Sequence, residues 1–510
     1  MKKVVIKQNR YVDSVSLMAV GDKVTKLEGI SNAEAQMCTP ANLEVLADLG
    51  YEMPKDITAN DLALAVTGET EAQIEAALQM IMDIIDHKNT SGGVSYKSLS
   101  EIDLREDGYD LVQISLPGEY AAAEAKKALS MGLDVFIFSD NVTLEEEADI
   151  KKYGNERGRL VMGPDCGVGL IQGVALGAGS IVRHGPVGIV GASGSGAQEV
   201  ACIIERLGLG VSSIIGTGGH DLLPEIGGIT MHAGMRRLDD DPDTKVIVLV
   251  SKLANLDVMA KILGAADRLS KPVVAIFLGA DEKLFEGHRV YGTYSLEEAA
   301  VKAVELCTGK TPSVGFTAEE IAEIVKEKVA ALRPEQKYVR GLFSGGTFTE
   351  EGMIYYTQHN KGVKLHSNLS TKYAVQLADH SVSEGHCILD LGAEDFTAEA
   401  PHPVFDPMLK LRRFKKEVAD PTVAVVTMDF IMGPGVAADP VTPFAKECRA
   451  LKDAGSNLIF ISNVCGSLED PQDTLAAEKM LADAGVIVTR SNYESTKLAS
   501  AFLAALEERG

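Results

Sequence analysis

From about residue 100 onward the sequence alternates short apolar runs with amphipathic stretches, and this rhythm constrains the fold more than any other feature. "DLVQISLPG" leads into "EYAAAEAKKALSMG", and "DVFIFSD" leads into "TLEEEADIKKYGNERG". The pattern returns in "GPVGIVGASGSG", "TKVIVLVSKL" and "TVAVVTMDFIMGPG", and closes on "GVIVTRSNYESTKLASAFLAAL". Strand–helix alternation of this kind makes a parallel sheet covered by helices.

The 510 residues suggest three or so domains at about 150 residues each. One Rossmann-like layer is expected over residues 98–180, a second layer over 185–310 and a third over 336–510. Residues 312–335 read as a charged helical connector ending at Pro334. Before them, residues 1–90 read as a small α/β unit. Its strands are "VVIKQNRYV" and "DLALAVTG", and its helices "DSVSLMAVGDKVTKL" and "TEAQIEAALQMIMDIIDH". Such β-α halves suggest a ferredoxin-like sandwich, joined onward by the linker "KNTSGGVSYKS" at 88–98.

A formal net charge of −24 argues against nucleic acid or an anionic membrane surface as partner. A small anion remains compatible, because a helix terminus binds one locally. No apolar run approaches the roughly 20 residues of a membrane span, and the start has no signal-peptide core. A cytoplasmic protein is expected. The seven cysteines form no CxxC pair, so neither a metal site nor a disulfide framework is expected.

Two strand-to-helix turns carry the chemistry. "GASGSG" offers Ser193, Gly194, Ser195 and Gly196, and "FSGGT" offers Ser344, Gly345, Gly346 and Thr347. The first N–H groups of a helix lack intrahelical partners, glycine admits a close ligand, and serine adds a hydroxyl. Both turns are therefore candidate phosphate or carboxylate cradles, although neither is a Walker A or a GxGxxG motif. The stretches 187–210 and 339–362 align as a faint repeat with an early acid in each helix, Glu199 and Glu350. Duplication of a flavodoxin-like unit explains it, and so does the sameness of all parallel βα units.

Other candidates sit in loops. His288 in "FEGHRVYG" is placed at the sheet's C-terminal edge as a possible nucleophile or base. "GPDCG" with Asp165 and "TGGHD" with Gly218 and Gly219 are further edge loops where ligands gather in open sheets. "LDLGAEDFTAEAPHPVFDP" gathers Asp390, Glu394, Asp395, His402 and Asp406 in one long polar loop, without metal-ligand spacing. Cys166 and Cys465 read as buried structural thiols.

"LVMGPDCG", "GPVGIVGASGSGAQEV" and "GTGGHDL" resemble, in order and spacing, the α subunit of ADP-forming succinyl-CoA synthetase. "GLFSGGTFTEEGM", "HCILDLGAED" and "VAVVTMDFIMGPG" resemble the C-terminal domain of its β subunit. The fused arrangement, with "DSVSL", "TPAN" and "PHPVFDP", is similar to the FdrA family. The resemblance implies a CoA-binding-like layer at 98–180, an α-type flavodoxin-like domain at 185–310 and a β-type one at 336–510. It also implies two helices aimed at one phosphate. The ATP-grasp domain of the β subunit has no room at 312–335, and the family's glycine-rich CoA loop is missing.

The FdrA family is implicated in oxamate carbamoyltransfer during anaerobic allantoin breakdown. The resemblance therefore implies a subunit of an oligomeric complex that binds phosphate and a small anionic ureide such as oxalurate and releases carbamoyl phosphate. Phosphate or carbamoyl phosphate is the implied ligand, and the missing loop puts CoA in doubt. The two turns would hold phosphate, and His402 and Asp406 are candidates for substrate contact. Two alternatives stand beside this one: a synthetase-like enzyme phosphorylated on His288, and a non-catalytic scaffold subunit.

Overall fold

The strand–helix rhythm is realised as three largely parallel sheets, and the first hundred residues as a fourth, antiparallel one. The computed structural model describes every residue except 13–16, 18–19, 21–23, 26, 28, 56, 88–97, 103, 105–107, 399 and 510. The expected helix over 13–27 and the linker at 88–98 fall mostly on those positions and lie outside the described residues. The chain divides into two compact units, Met1–Gly108 with Glu394–Leu409, and Tyr109–Ala393 with Lys410–Gly510.

In the first unit β1 (Lys2–Lys7), β2 (Ile30–Met37) and β3 (Leu62–Gly68) pair antiparallel in the order β1-β3-β2. The central strand alternates its burial. Leu62, Leu64 and Val66 join one apolar cluster, while Ala63 and Ala65 join another on the opposite face. Helix α1 (Pro40–Asp48) is inserted between β2 and β3 and opens on a Thr39 side-chain cap. Helix α2 (Glu71–His87) presses Ile74, Ala77, Leu78 and Ile81 onto the first cluster at helical spacing. β2 is illegible in the sequence, since "ISNAEAQM" has small and polar residues where a strand normally shows large apolar ones.

The second unit starts with a short parallel sheet of β4 (Leu111–Ile114), β5 (Asp134–Ile137) and β6 (Val161–Met162). Helices α3 (Gly118–Ser130) and α4 (Leu144–Glu156) are its crossovers. The expectation carried this layer to residue 180. Instead β7 (Val168–Ile171) and β8 (Val174–Gly177) form a hairpin that pairs with the next sheet. Gln172 and Gly173 turn it with positive φ at both positions, 49° and 83°, which matches the natural strand twist.

That next sheet runs β13-β12-β11-β9-β10-β7-β8. Its repeating elements are β9 (Val187–Gly191), α5 (Gly194–Arg206), β10 (Val211–Gly216), α6 (Ile229–Asp240) and β11 (Val246–Lys252). They continue with α7 (Leu256–Ala266), β12 (Val273–Leu278), β13 (Tyr291–Thr293) and α8 (Leu296–Thr308). The connector α9 (Ala318–Ala330) opens on a Thr317–Glu320 capping box. The last sheet contains β14 (Tyr338–Phe343), β15 (Leu365–Ser367), β16 (Val375–Gln376), β17 (His386–Asp390), β18 (Val423–Ile431), β19 (Ile459–Cys465) and β20 (Ile487–Thr489). Its helices are α10 (Gly346–His359), then, after the single turn α11 (Glu394–Thr397) of the first unit, α12 (Met408–Val418), α13 (Thr442–Asp453), α14 (Thr474–Asp483) and α15 (Asn492–Arg509). The strand order is β16-β15-β17-β14-β18-β19-β20.

β9 lies between β10 and β11 with β12 and β13 outward, and β14 lies between β17 and β18 with β19 and β20 outward, while β15 and β16 add an edge beyond β17. That is the flavodoxin-like order. Side chains carry the same symmetry. Glu199 of α5 accepts the N–H of Asn492, the first residue of α15, at 2.7 Å. Glu351 of α10 accepts the N–H of Leu296, the first residue of α8, at 2.9 Å. Each half thus caps the final helix of the other. The repeat pairs Glu199 with Glu351, one residue beyond the Glu350 that alignment by eye selects. Further bonds join the halves, among them Gln198 Nε2 to the Met432 carbonyl at 2.7 Å and Arg206 to Glu478 at 2.5 Å. No described helix is long and apolar enough to cross a membrane.

Candidate anion site

The two glycine-serine turns meet. Ser193, the N-cap of α5, places its Oγ 2.6 Å from the Oγ1 of Thr347, in the first turn of α10. Reciprocally, a Cβ built on Gly345, the N-cap of α10, would lie 3.4 Å from the Ser195 hydroxyl in the first turn of α5. The Ser193 hydroxyl also accepts the Gly196 N–H at 3.1 Å. One hydroxyl proton of the pair is therefore spent within the turns. The backbone N–H groups at the start of each helix, Gly194 and Ser195 on one side, Gly346 and Thr347 on the other, have no intrahelical acceptor. No side chain caps α10. Gly194, Ser195, Gly345 and Gly346 are partly accessible, so solvent reaches the junction. Two helix dipoles with their positive ends together attract an anion more strongly than one.

Charged groups line the same junction. A Cβ on Gly346 would fall 2.8 Å from Lys252 Nζ and 2.9 Å from Asp390 Oδ2. Lys252, at the end of β11, pairs with Glu350 at 3.2 Å. Asp390 ends β17, and burial, opposed by the Gly392 N–H and Lys252, pushes its carboxyl up to about 6. Ser344, expected to bind phosphate, is spent elsewhere. Its N–H and hydroxyl reach Asp429 Oδ1 at 2.8 and 3.2 Å, and its hydroxyl also accepts from Lys410 Nζ at 3.0 Å. Lys410 and Asp429 form a fully buried ion pair at 2.7 Å, and burial draws the lysine below its ordinary range. Sequence reasoning missed Lys252, Lys410 and Asp429. The available signal was a charge set within the apolar strands "VIVLVSK" and "VAVVTMDFI".

The edge loops of the first half lie beside the junction. A Cβ on Gly194 would touch Val168 at 3.4 Å, just past "GPDCG", and one on Gly218 would strike the Pro164 carbonyl at 2.3 Å. Gly218, with φ of 79°, thus serves close packing of the two loops, whereas Gly219 faces open space. Asp165 is exposed at the rim, and partial desolvation with Asp140 nearby raises its carboxyl. Beneath them Lys151, Glu147 and Asp221 form a buried ion cluster, with Lys151 at 2.7 and 2.9 Å from the two acids. Burial pushes the Cys166 thiol up to about 12 and raises Cys465 as well, which leaves both unreactive.

His288 is not at this edge. It precedes β13, whose first residue Tyr291 pairs with Val274 at the start of β12, so it lies at the N-terminal edge of the sheet. There its Nδ1 is 2.7 Å from Asp267 Oδ2, beside a 460 Å³ cleft. The expectation failed because the chain crosses back under the sheet between β12 and β13. The geometry therefore gives no support to a phosphohistidine at the cradle. His402, Asp406 and Asp395 are likewise not in the unit that holds the cradle. They belong to Glu394–Leu409, which groups with the N-terminal unit. There Asp406 adds to the burial that pushes the Glu34 carboxyl up to about 7. The long polar loop of the sequence is divided between the units just after Ala393.

Residues 1–99 match the family model described as AllF, heavy metal-associated domain. Residues 182–279 match the CoA binding domain and 342–502 the CoA-ligase model. The CoA-binding match thus falls on the half containing "GASGSG" rather than on 98–180. The residues do not fit a heavy metal in the first unit. Its single cysteine, Cys38, is buried, and no group of three His, Cys, Asp or Glu side chains able to hold an ion occurs among the described residues. After β4, a Cβ at Gly118 would strike the Asp140 carbonyl at 2.2 Å, so this glycine serves close packing of α3 on the loop after β5.

The chain is 38% identical to the Escherichia coli uncharacterized protein YahF over 99% of both chains. It is 30% identical to succinate–CoA ligase [ADP-forming] subunit alpha 2 of Archaeoglobus fulgidus, over 46% of this chain and 81% of that one. Among solved structures, acetyl-coenzyme A synthetase 1 of Ca. Korarchaeum cryptofilum aligns over 82% of this chain and 88% of its own, at 16% identity and a TM-score of 0.33. The chain therefore belongs to the family of YahF and joins, in one polypeptide, an AllF-type N-terminal domain to succinyl-CoA synthetase-like CoA-binding and CoA-ligase domains.

Proposed function

We propose that the chain is an FdrA-like subunit that holds phosphate or an acyl phosphate between the starts of α5 and α10 and uses it in carbamoyl transfer. Phosphate and a ureide such as oxalurate would give carbamoyl phosphate and oxamate. The observation that carries this reading is the reciprocal meeting of the turns, Thr347 on Ser193 and Ser195 over Gly345. Backbone N–H groups from both helices converge there, in a place able to offset phosphate's charge as it approaches an anionic substrate. The segment between the halves is the single helix α9, so no ATP-grasp domain stands between them. Carbamoyl phosphate would accordingly pass to a separate kinase, and the chain would work in the cytoplasm within a larger complex of subunits.

Calorimetry of the full chain with phosphate, carbamoyl phosphate, oxamate and CoA tests this. Binding of phosphate or carbamoyl phosphate, lost in Gly345→Val, is the expected result. Gly345 has an extended backbone at φ −164°, and its Cβ fits at 3.4 Å, so the substitution fills the gap between the turns without strain. Tight CoA binding with no phosphate binding would overturn the reading.

A further inference from the structure

Beside the cradle stands a carboxyl of which the fold uses one oxygen. Asp390 is 6% exposed, and Oδ1 accepts the Gly392 N–H at 2.9 Å. Its backbone is clamped by Asn368, which donates to its carbonyl at 3.1 Å and accepts its N–H at 3.0 Å. Oδ2 makes no hydrogen bond among the described residues and points at Gly346, the first residue of α10. From the other half Lys252 Nζ reaches the same spot but bonds Glu350 instead of Asp390. A side chain at position 346 would occupy that spot, and glycine keeps it open. Asp429 also carries a buried oxygen, Oδ2, with no hydrogen-bond partner.

Resting on the reading above, we infer that Asp390 is the proton-exchanging group of this site, neutral while a dianion lies on the turns. As a phosphate oxygen forms its bond to the carbamoyl carbon, the C–N bond of the ureide breaks. The departing nitrogen takes the electron pair of that bond and the Asp390 proton. The hydroxyl proton of the incoming hydrogen phosphate then returns to Asp390, so atoms and charge balance. The charged groups facing Asp390 are Lys252 at the end of β11, Glu350 of α10, and Asp429 of β18 with its partner Lys410 of α12. Burial and Asp429 favour the neutral acid, whereas the Gly392 N–H and Lys252 favour the anion. A group that titrates near the operating pH suits proton transfer in both directions.

Sulfate tests the protonation without adding its own titration, because it stays a dianion from pH 5 to 8. Calorimetric titration of the full chain should show sulfate affinity falling as pH rises above about 6, by at most about tenfold per unit for one linked proton. In Asp390→Asn the slope should vanish while binding persists. Sulfate binding with an unchanged slope in Asp390→Asn, or no slope in the wild type, would sink the proton role and leave the cradle standing. Absence of any sulfate or phosphate binding would sink the cradle and this inference together. In the assembled complex, phosphate release from carbamoyl phosphate plus oxamate should slow by roughly 10²–10⁴-fold in Asp390→Asn. Asp390→Glu should recover part of it. Equal turnover in wild type and Asp390→Asn would overturn the inference.

Discussion

The Lys410–Asp429 pair is a costly arrangement at the level of single residues. Both partners are out of water, and Asp429 is further held by the N–H and hydroxyl of Ser344. Removing one member of such a pair strands a charge, at a cost of about 3–5 kcal/mol, whereas removing both often costs little. Lys410→Met should therefore lower the urea midpoint sharply, and Lys410→Met with Asp429→Asn should recover most of the loss. If the double variant is no better than the single, the pair is not what sets the cost. Residue chemistry was unevenly legible in the sequence. The glycines and hydroxyls of the turns announced themselves, but Ser344 looked identical to Ser193 and performs a different task. What separates them is Asp429, 85 positions away.

Among elements, the reciprocal caps dominate. Glu351 is fully buried against Leu296 and Asn492, and burial pushes its carboxyl up to about 8. In the unfolded chain a glutamate titrates near 4.3. A folded value above the unfolded one means stability that is complete at acid pH, below the unfolded value, and lost as pH rises through about 8. The contribution is at most about 1.4 kcal/mol for each pH unit between the two values. Thermal melts should show the wild type losing stability between pH 5 and 8, and Glu351→Gln should flatten that decline. A parallel decline in the variant would assign it to other groups, with Glu199 and Glu297 next to examine. Elements were the most readable scale, because the 3.6 and 2.0 periodicities are local properties of the chain. Among the exceptions were β2, whose residues are small and polar, the short strands β15 and β16, and the β7–β8 hairpin, whose partner strand β10 lies more than 30 residues on.

At the scale of the molecule, neither synthetase-like half is complete alone. The final helix of each begins on a carboxyl group supplied by the other, and the candidate anion site is built of a turn from each. A chain divided in the stretch between α8 and α9, with both pieces co-expressed, should assemble and bind phosphate. Each second-unit piece expressed alone should be poorly folded by hydrogen exchange. A solitary half with native-like protection would show that the caps are dispensable. Sequence could suggest the duplication but not this mutual dependence, since Glu199 and Asn492 are 293 positions apart.

The bond between the Ser193 and Thr347 hydroxyls has one more consequence. Because that bond spends one of the two hydroxyl protons, an anion at the junction would be met by the other proton and mainly by peptide N–H groups, which every amino acid possesses. Recognition of that kind leaves almost no signature in residue identity beyond a few glycines. Homologues could exchange most of the alphabet around these turns and keep the ligand, while a search for shared reactive side chains would pass over the site. The hydroxyl pair itself works as a clasp that fixes the spacing of two main chains, and that spacing is what selection would see.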